Sequence, residues 1–205
     1  MVNLEIQKSI SAPPSRVLGV ARFVSLIGHP MVLLTLTITL VLARNLPPAR
    51  LVTIVGIFLL STIIPLCLVM WRKVASGQWT NMDVSDPDQR GHLYSAAIVI
   101  IALATLMFWL MSLPHTLFIG SVVSLLLLVS GMLVSRRSKI SMHTMFAAYC
   151  AVALLGVSIA FSFVLIVMVG LVAWSRLVLK RHTASQVIGG LCLGICAGVL
   201  LIWLV

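Results

Sequence analysis

Two short polar segments in an otherwise apolar chain carry side chains whose types and spacing suit phosphate chemistry. The first, Ser175–Gln186, contains a Ser-Arg pair followed six residues later by His182. An arginine can hold an anion through paired N–H donors, and a neutral imidazole can attack phosphorus or move a proton. The second, Lys139–His143, combines a cation, a hydroxyl and another imidazole. Because such residues are costly inside a bilayer and are rarely kept there without a role, we expect both segments to form one composite site.

The composition places the chain among membrane proteins. Of its 205 residues, 61% are hydrophobic and 9% are charged, and only four are acidic. The net charge of +10 does not form a basic amphipathic face or a patch interleaved with aromatic residues, which argues against a nucleic-acid partner. The positive residues lie instead in short links between apolar runs, where they serve as topology signals and anion ligands. Nothing in the sequence implies a soluble protein partner, whereas a membrane lipid is the expected substrate.

Seven apolar runs predict an all-α, polytopic integral membrane bundle of about six to seven transmembrane helices. The charge-free stretch 145–175 is too long for one ordinary span and short for two. We divide it near Gly156, because only two passes leave both polar segments on the same side. Residues 1–23 are expected to form an N-terminal surface segment, and residues 24–205 a single transmembrane domain. The expected spans are 24–43, 51–70, 94–112, 116–134, 143–157, 159–174 and 187–205.

The basic residues are distributed unequally between the two sets of links. With Arg90 and Arg176 set aside, ten lie on the side of the N-terminus and of both polar segments, and two, Arg44 and Arg50, lie on the other. Basic loops are retained in the cytoplasm, so this asymmetry predicts a multi-pass protein whose site faces the cytoplasm.

The Ser175–Gln186 segment resembles the third signature of the type 2 phosphatidic acid phosphatase superfamily, S-R-x5-H-x3-D. Ser175, Arg176 and His182 match it, while Gln186 stands where the family usually has Asp. This resemblance implies that the protein is a lipid phosphate phosphatase that works without a metal. It also implies that His182 is the nucleophile and forms a phospho-histidine.

Two further segments are similar to the other signatures of that superfamily. The sequence I-S-M-H at 140–143 resembles the second signature, P-S-G-H, with Ser141 and His143 retained and Pro and Gly lost. The first signature, K-x6-R-P, is matched only by Arg90, because Asp83 occupies the Lys position. The overall pattern is similar to a bacterial and archaeal branch and implies a prokaryotic cell membrane. It also implies that His143 protonates the leaving group.

Physical chemistry assigns compatible roles to the remaining residues. Phosphoryl transfer needs cations over the equatorial oxygens, which Arg176, Arg90 and Lys139 can supply. Ser141 is expected to donate a hydrogen bond to a phosphate oxygen, and Ser175 is also expected to bind phosphate. Gln186 lies one helical turn after His182 and can accept its ring N–H. An amide cannot stabilise imidazolium as a carboxylate would. Either activity is therefore lowered, or an acid from the loop 83–88 substitutes.

Other interpretations remain open from the sequence. Phosphotransfer to an acceptor other than water also uses a phospho-histidine, and a catalytically silent lipid-phosphate binder or transporter would need only the cations. The sequence does not choose among polyprenyl diphosphate, phosphatidate and phosphatidylglycerophosphate. Lys180 and Arg181 are interpreted as interface anchors. His29, next to Pro30 on the same side as the polar segments, is interpreted as a helix-end residue that could also approach the site. The four cysteines lack C-x2-C spacing, so neither a metal nor a disulfide is expected, and no cofactor is implied. Glycines repeat every four residues and predict a close helix-packing face; they are Gly190, Gly194 and Gly198.

Overall fold

The computed structural model describes residues 14–80 and 87–205; in the second range, side chains are described from residue 89 onward. All regular secondary structure in the described residues is helical. Five helical segments are long and apolar enough to cross a membrane, and a bent pair of helices raises the number to six. The prediction of an all-α bundle with several helices of membrane-spanning length is therefore confirmed. The helices are α1 Ser15–Ile27, α2 Pro30–Ala43, α3 Pro48–Phe58, α4 Ile64–Ala75, α5 Pro87–Leu110, α6 His115–Ser135, α7 Met142–Ala153, α8 Ile159–Val178 and α9 Ala184–Leu204.

The N-terminal boundary differs from the prediction. A boundary after residue 23 would lie inside α1, which begins at Ser15, packs against α8 and meets α2 at an angle of 46°. The break follows from local chemistry: Pro30 lacks the N–H needed to continue α1, and His29 caps α2 by accepting the Met31 N–H at 3.3 Å. Gly28 permits close packing there, since a Cβ at this position would lie 2.2 Å from Val172 Cγ2. Residues 1–13 lie outside the described residues.

The apolar stretch 145–175 is divided near Gly156, as the sequence predicts. Helix α7 passes into a 3-10 turn at Leu154–Gly156, and Ser158 then caps α8 by accepting the Phe161 N–H at 3.5 Å. The twelve residues of α7 extend only about 18 Å. Ten of them are buried, so α7 is a short central helix enclosed by its neighbours rather than a lipid-facing one.

Helix α9 packs against α7 through the predicted glycine face. A Cβ at Gly194 would lie 2.1 Å from the carbonyl oxygen of Met145, and one at Gly190 would lie 2.6 Å from that of Ser141. The close-packing role of these glycines is therefore confirmed. The register is fixed at the start of both helices by the Ser141 N–H, which donates to the Gln186 carbonyl at 3.1 Å. The two polar segments of the sequence thus meet at one end of the bundle.

Helices α3 and α4 are joined by a wider π-helical turn, Leu59–Ile63. Pro65 follows this turn and lacks the N–H that a regular α-helical ladder would use, which accounts for the local break in α-helical hydrogen bonding. The turn places the buried Thr62 toward the bundle interior, where it lines two cavities. At the opposite end of the bundle from the polar segments, Arg44 donates to the Gly156 carbonyl at 3.2 Å and joins the end of α2 to that of α7.

Candidate active site

The end of α8 is a tight turn that carries the Ser-Arg-x5-His pattern. Lys180 adopts the left-handed conformation at φ +53°, its N–H donates to the Leu177 carbonyl, and the Arg181 N–H donates to the Arg176 carbonyl at 3.1 Å. This pairing is a Schellman motif, which usually has glycine at the left-handed position. The motif reverses the chain within one turn. His182 therefore lies close to Arg176 and just before the first turn of α9.

The hydrogen bonds of Gln186 determine which nitrogen of His182 carries the proton. Gln186 Oε1 accepts the backbone N–H of Thr183 at 3.3 Å and lies 3.1 Å from His182 Nδ1. A backbone N–H can only donate, so the oxygen of the amide must face this point, and Nδ1 must then be the protonated ring nitrogen. The lone pair of the neutral imidazole is consequently on Nε2. The predicted contact between residues 182 and 186 is present in the structure.

The surroundings of His182 keep its ring neutral. Burial, followed by repulsion from Arg176, lowers the pKa of His182 to about 4, and Lys139 and Arg90 act in the same direction. The hydrogen bond to Gln186 opposes these effects but does not outweigh them. At pH 7 the ring is therefore unprotonated, which is the form that a nucleophile requires.

A cavity of about 90 Å³ brings the two polar segments together. Arg176 and Arg90 reach it as buried side chains, with exposures of 2% and 8%, and Lys139 lines it as a half-buried one. The Arg176 guanidinium is held from α1 by Ser25, to whose Oγ it donates at 2.8 Å. Among the described side chains that line this cavity, the charged ones are all cations, and such a group suits an anion.

A second imidazole lies in the same cavity. His143 occupies the first turn of α7 with 9% exposure, and its ring contacts that of His29 edge-on, with centroids 5.1 Å apart and an interplanar angle of 86°. His29 Nδ1 is engaged as the cap of α2. His143 and His182 both line the cavity, as the sequence predicts, and the edge-on contact with His29 fixes the plane of the His143 ring.

Two predicted phosphate ligands are not among the cavity-lining residues. The Ser175 hydroxyl donates to the Val172 carbonyl at 2.8 Å within α8, and Ser175 is fully buried. Ser141 caps α7 by accepting the Thr144 N–H at 3.4 Å, and it is fully buried as well. Both serines make hydrogen bonds with backbone groups of their own helices, and their expected role as direct phosphate ligands stays a prediction. The acids of the loop 83–88 lie outside the described residues.

Three further residues belong to the site. His29 is the cap of α2, as predicted, and also lines the cavity. Arg181, interpreted from the sequence as an interface anchor, lines the cavity too, whereas Lys180 is exposed. Ser25 positions Arg176 and carries no sequence signal, because a lone serine on a helix is common. The sequence indicated that His29 could approach the site, because it lies next to Pro30 on the same side as the polar segments.

Comparisons with known proteins do not identify the chain: no family model, no curated protein and no solved structure matches it. The chemistry must be argued from the site itself. Over the described residues, no three His, Cys, Asp or Glu side chains lie together in a way that could hold a metal ion. The residues that do converge are cations and imidazoles, which together can bind an anion, attack it and transfer a proton.

Proposed function

We propose that the protein is a multi-pass membrane enzyme that removes phosphate from a lipid phosphate or diphosphate through a phospho-histidine at His182. The observation that carries this proposal is the state of His182. Its Nδ1 donates to Gln186, so the lone pair is on Nε2, and the ring stays neutral beside Arg176 in a cavity rich in cations. A binding protein would need the cations but not an oriented nucleophile.

The reaction proceeds in two displacements. Nε2 of His182 attacks phosphorus, an N–P bond forms, and the P–O bond to the lipid breaks as the leaving oxygen takes a proton from His143. For this step His143 must first become imidazolium by taking up the proton that a monoprotonated phosphate substrate brings, and the bound phosphate anion favours that charged form. Water then attacks the phospho-histidine, His143 takes the proton that the water loses, and the N–P bond breaks to release phosphate. Arg176, Arg90 and Lys139 balance the charge on the equatorial oxygens in both steps, which is the main requirement of phosphoryl transfer.

Phosphate release by the purified protein tests the proposal. In EDTA, the protein is expected to release phosphate from at least one of polyprenyl diphosphate, phosphatidate and phosphatidylglycerophosphate. His182→Ala is expected to abolish turnover while lipid-phosphate binding remains. His115→Ala is the matched control, because His115 begins α6 and does not line the cavity. Turnover by the His182 variant near the wild-type rate would contradict the nucleophile assignment, and binding without turnover by the wild type would identify a silent binder.

We also propose that the site faces the cytoplasm of a prokaryotic cell, a proposal supported by the excess of basic residues at this end of the bundle. Ser138 and Ser185 are exposed near the site, and Val205 is exposed at the end of α9. Single cysteines at these positions, with the four native cysteines replaced, report the orientation. We expect the first two to be protected from an impermeant thiol reagent in intact cells and the third to be labelled. Labelling of both serine-derived cysteines would invert the orientation and leave the composite site intact.

A further inference from the structure

A second cavity, of about 70 Å³, lies in the bundle interior and is lined mainly by apolar side chains. It shares Leu34, Thr62 and Ile101 with the site cavity, so the two adjoin at one junction. Two of its polar groups are engaged with the backbone: Ser121 donates to the Phe118 carbonyl at 2.7 Å, and Tyr149 donates to the Gly120 carbonyl at 3.0 Å, whereas the buried Thr37 hydroxyl has no hydrogen-bond partner among the described residues. An apolar ligand would leave these hydrogen bonds intact.

The two cavities lie end to end along the same helix faces. On α2 the lining passes from Met31 through Leu34 and Ile38 to Leu42, which are spaced as one face of a helix. On α5 it passes from Arg90 through Ile101 to Phe108, again toward the far end of the bundle. The α2 face from residue 29 to residue 42 extends about 20 Å. The cation cluster therefore stands at one end of two adjoining cavities, together called the channel below, whose walls are apolar for most of this length.

We propose that this channel holds the hydrocarbon chain of a single-chain lipid phosphate whose headgroup contacts Arg176 and Arg90. The proposal rests on the proposed function, because it assigns the substrate class of the same site. Lipid tails are as apolar as the channel walls, so the channel adds little hydrophobic driving force over the bilayer. The channel instead selects among substrates, because an enclosed channel admits only hydrocarbon chains whose width and length fit it, whereas the open bilayer does not discriminate in this way.

The structure offers one competing place for the chain. An external groove runs beside α2, lined by Thr35, Leu36 and Cys67, and it shares His29 and Met31 with the site cavity. This groove is open to the lipid side and suits lateral entry. A chain that stayed in it would meet the exposed Leu36 and would not pass the junction at Ile101. The two paths therefore involve different residues.

Photolabelling distinguishes the two paths without any need for turnover. Hexadecyl phosphate carrying a diazirine at the chain terminus is bound to the wild type and to His182→Ala in lipid nanodiscs, and the labelled peptides are mapped. We expect labels on α6 and α7, at residues such as Ser121 and Tyr149, that short unlabelled alkyl phosphates compete away. Labels confined to Thr35 and Leu36 would overturn the channel. If labelling in the channel occurs but the wild type releases no phosphate, the proposed function fails and the channel stands.

A wedge variant tests selection by chain length. Gly120 lines the channel, and a Cβ there would meet only Tyr149 Oη at 3.8 Å, so Gly120→Leu fills the channel without a backbone clash. We expect kcat/KM for hexadecyl phosphate to fall about tenfold or more while that for hexyl phosphate stays within about twofold. The matched control is Gly170→Leu, since Gly170 is exposed and has no heavy atom within 4 Å of its Cβ. Equal losses for both substrates, or no loss for the long one, would overturn the assignment.

Discussion

Replacing Gln186 by glutamate gives His182, the proposed nucleophile, a carboxylate partner in place of an amide. Glutamate has the length of glutamine, so its oxygen can take the position of Oε1, 3.1 Å from His182 Nδ1, and still accept the Thr183 N–H. A carboxylate this close raises the pKa of an imidazole by about 1 to 3, so the pKa of His182, now about 4, should lie between about 5 and 7.

The consequence is a shift of the acidic limb of the pH–rate profile. At pH 5.5, an imidazole with a pKa of about 4 is about 97% neutral, and one with a pKa of about 6 is about 24% neutral. The kcat/KM of Gln186→Glu at pH 5.5, relative to its own plateau, should therefore be about fourfold lower than that of the wild type. The direction is fixed, because protonation removes the lone pair that attacks phosphorus.

Two measurements check this reasoning. One is kcat/KM for a lipid phosphate from pH 4 to pH 8, and the other is an NMR titration of ring-labelled histidine, with His182→Ala to assign the resonance. Ser185→Glu is the matched control, since it adds the same charge to the first turn of α9 at an exposed position. An unchanged acidic limb and an unchanged titration in a folded Gln186→Glu protein would refute the contact on which the assignment depends.

Other expectations concern the cation cluster and the helix ends. Arg176→Lys keeps the charge but loses the paired donors, so we expect a cost of about 1–3 kcal/mol in transition-state stabilisation, measured as a fall in kcat/KM; a variant equal to the wild type would make Arg176 an anchor. Lys180→Gly should relieve about 1 kcal/mol of left-handed strain and raise the melting temperature with activity unchanged, and a lower melting temperature would contradict the Schellman turn. Gly194→Ala should destabilise the bundle by about 1–3 kcal/mol in thermal unfolding, because its Cβ would lie 2.1 Å from a backbone carbonyl oxygen, whereas Gly170→Ala should not. Equal melting temperatures for those two variants would contradict the close packing of α9 on α7.

Local sequence patterns predicted those parts of the molecule that depend on neighbours in the chain. The apolar runs gave the helices because each must satisfy its backbone internally and has the length and hydropathy for it. The break near Gly156 was predicted because the stretch is too long for one ordinary span and only two passes leave both polar segments on the same side. The contact of His182 with Gln186 was also predicted, but it forms in another way: His182 precedes α9, and Gln186 in the first turn reaches back to it as it does to the N-cap Thr183. The start of α1 was missed, because its Arg16 and Arg22 suggested a polar segment although its other face packs against α8.

The Ser-Arg-x5-His pattern in the sequence indicated the proposed nucleophile and the principal cation of the site, and the four-residue glycine repeat predicted a packing face. Only the tertiary structure decided what surrounds them. The glycines let α7 and α9 approach until backbone meets backbone, and this register brings His143 and His182 to one cavity. It also turns the hydroxyls of Ser141 and Ser175 toward backbone groups rather than the cavity. The physical reason is that contacts such as Ser25 with Arg176 join residues 151 positions apart, and no local pattern specifies which helix faces pack together.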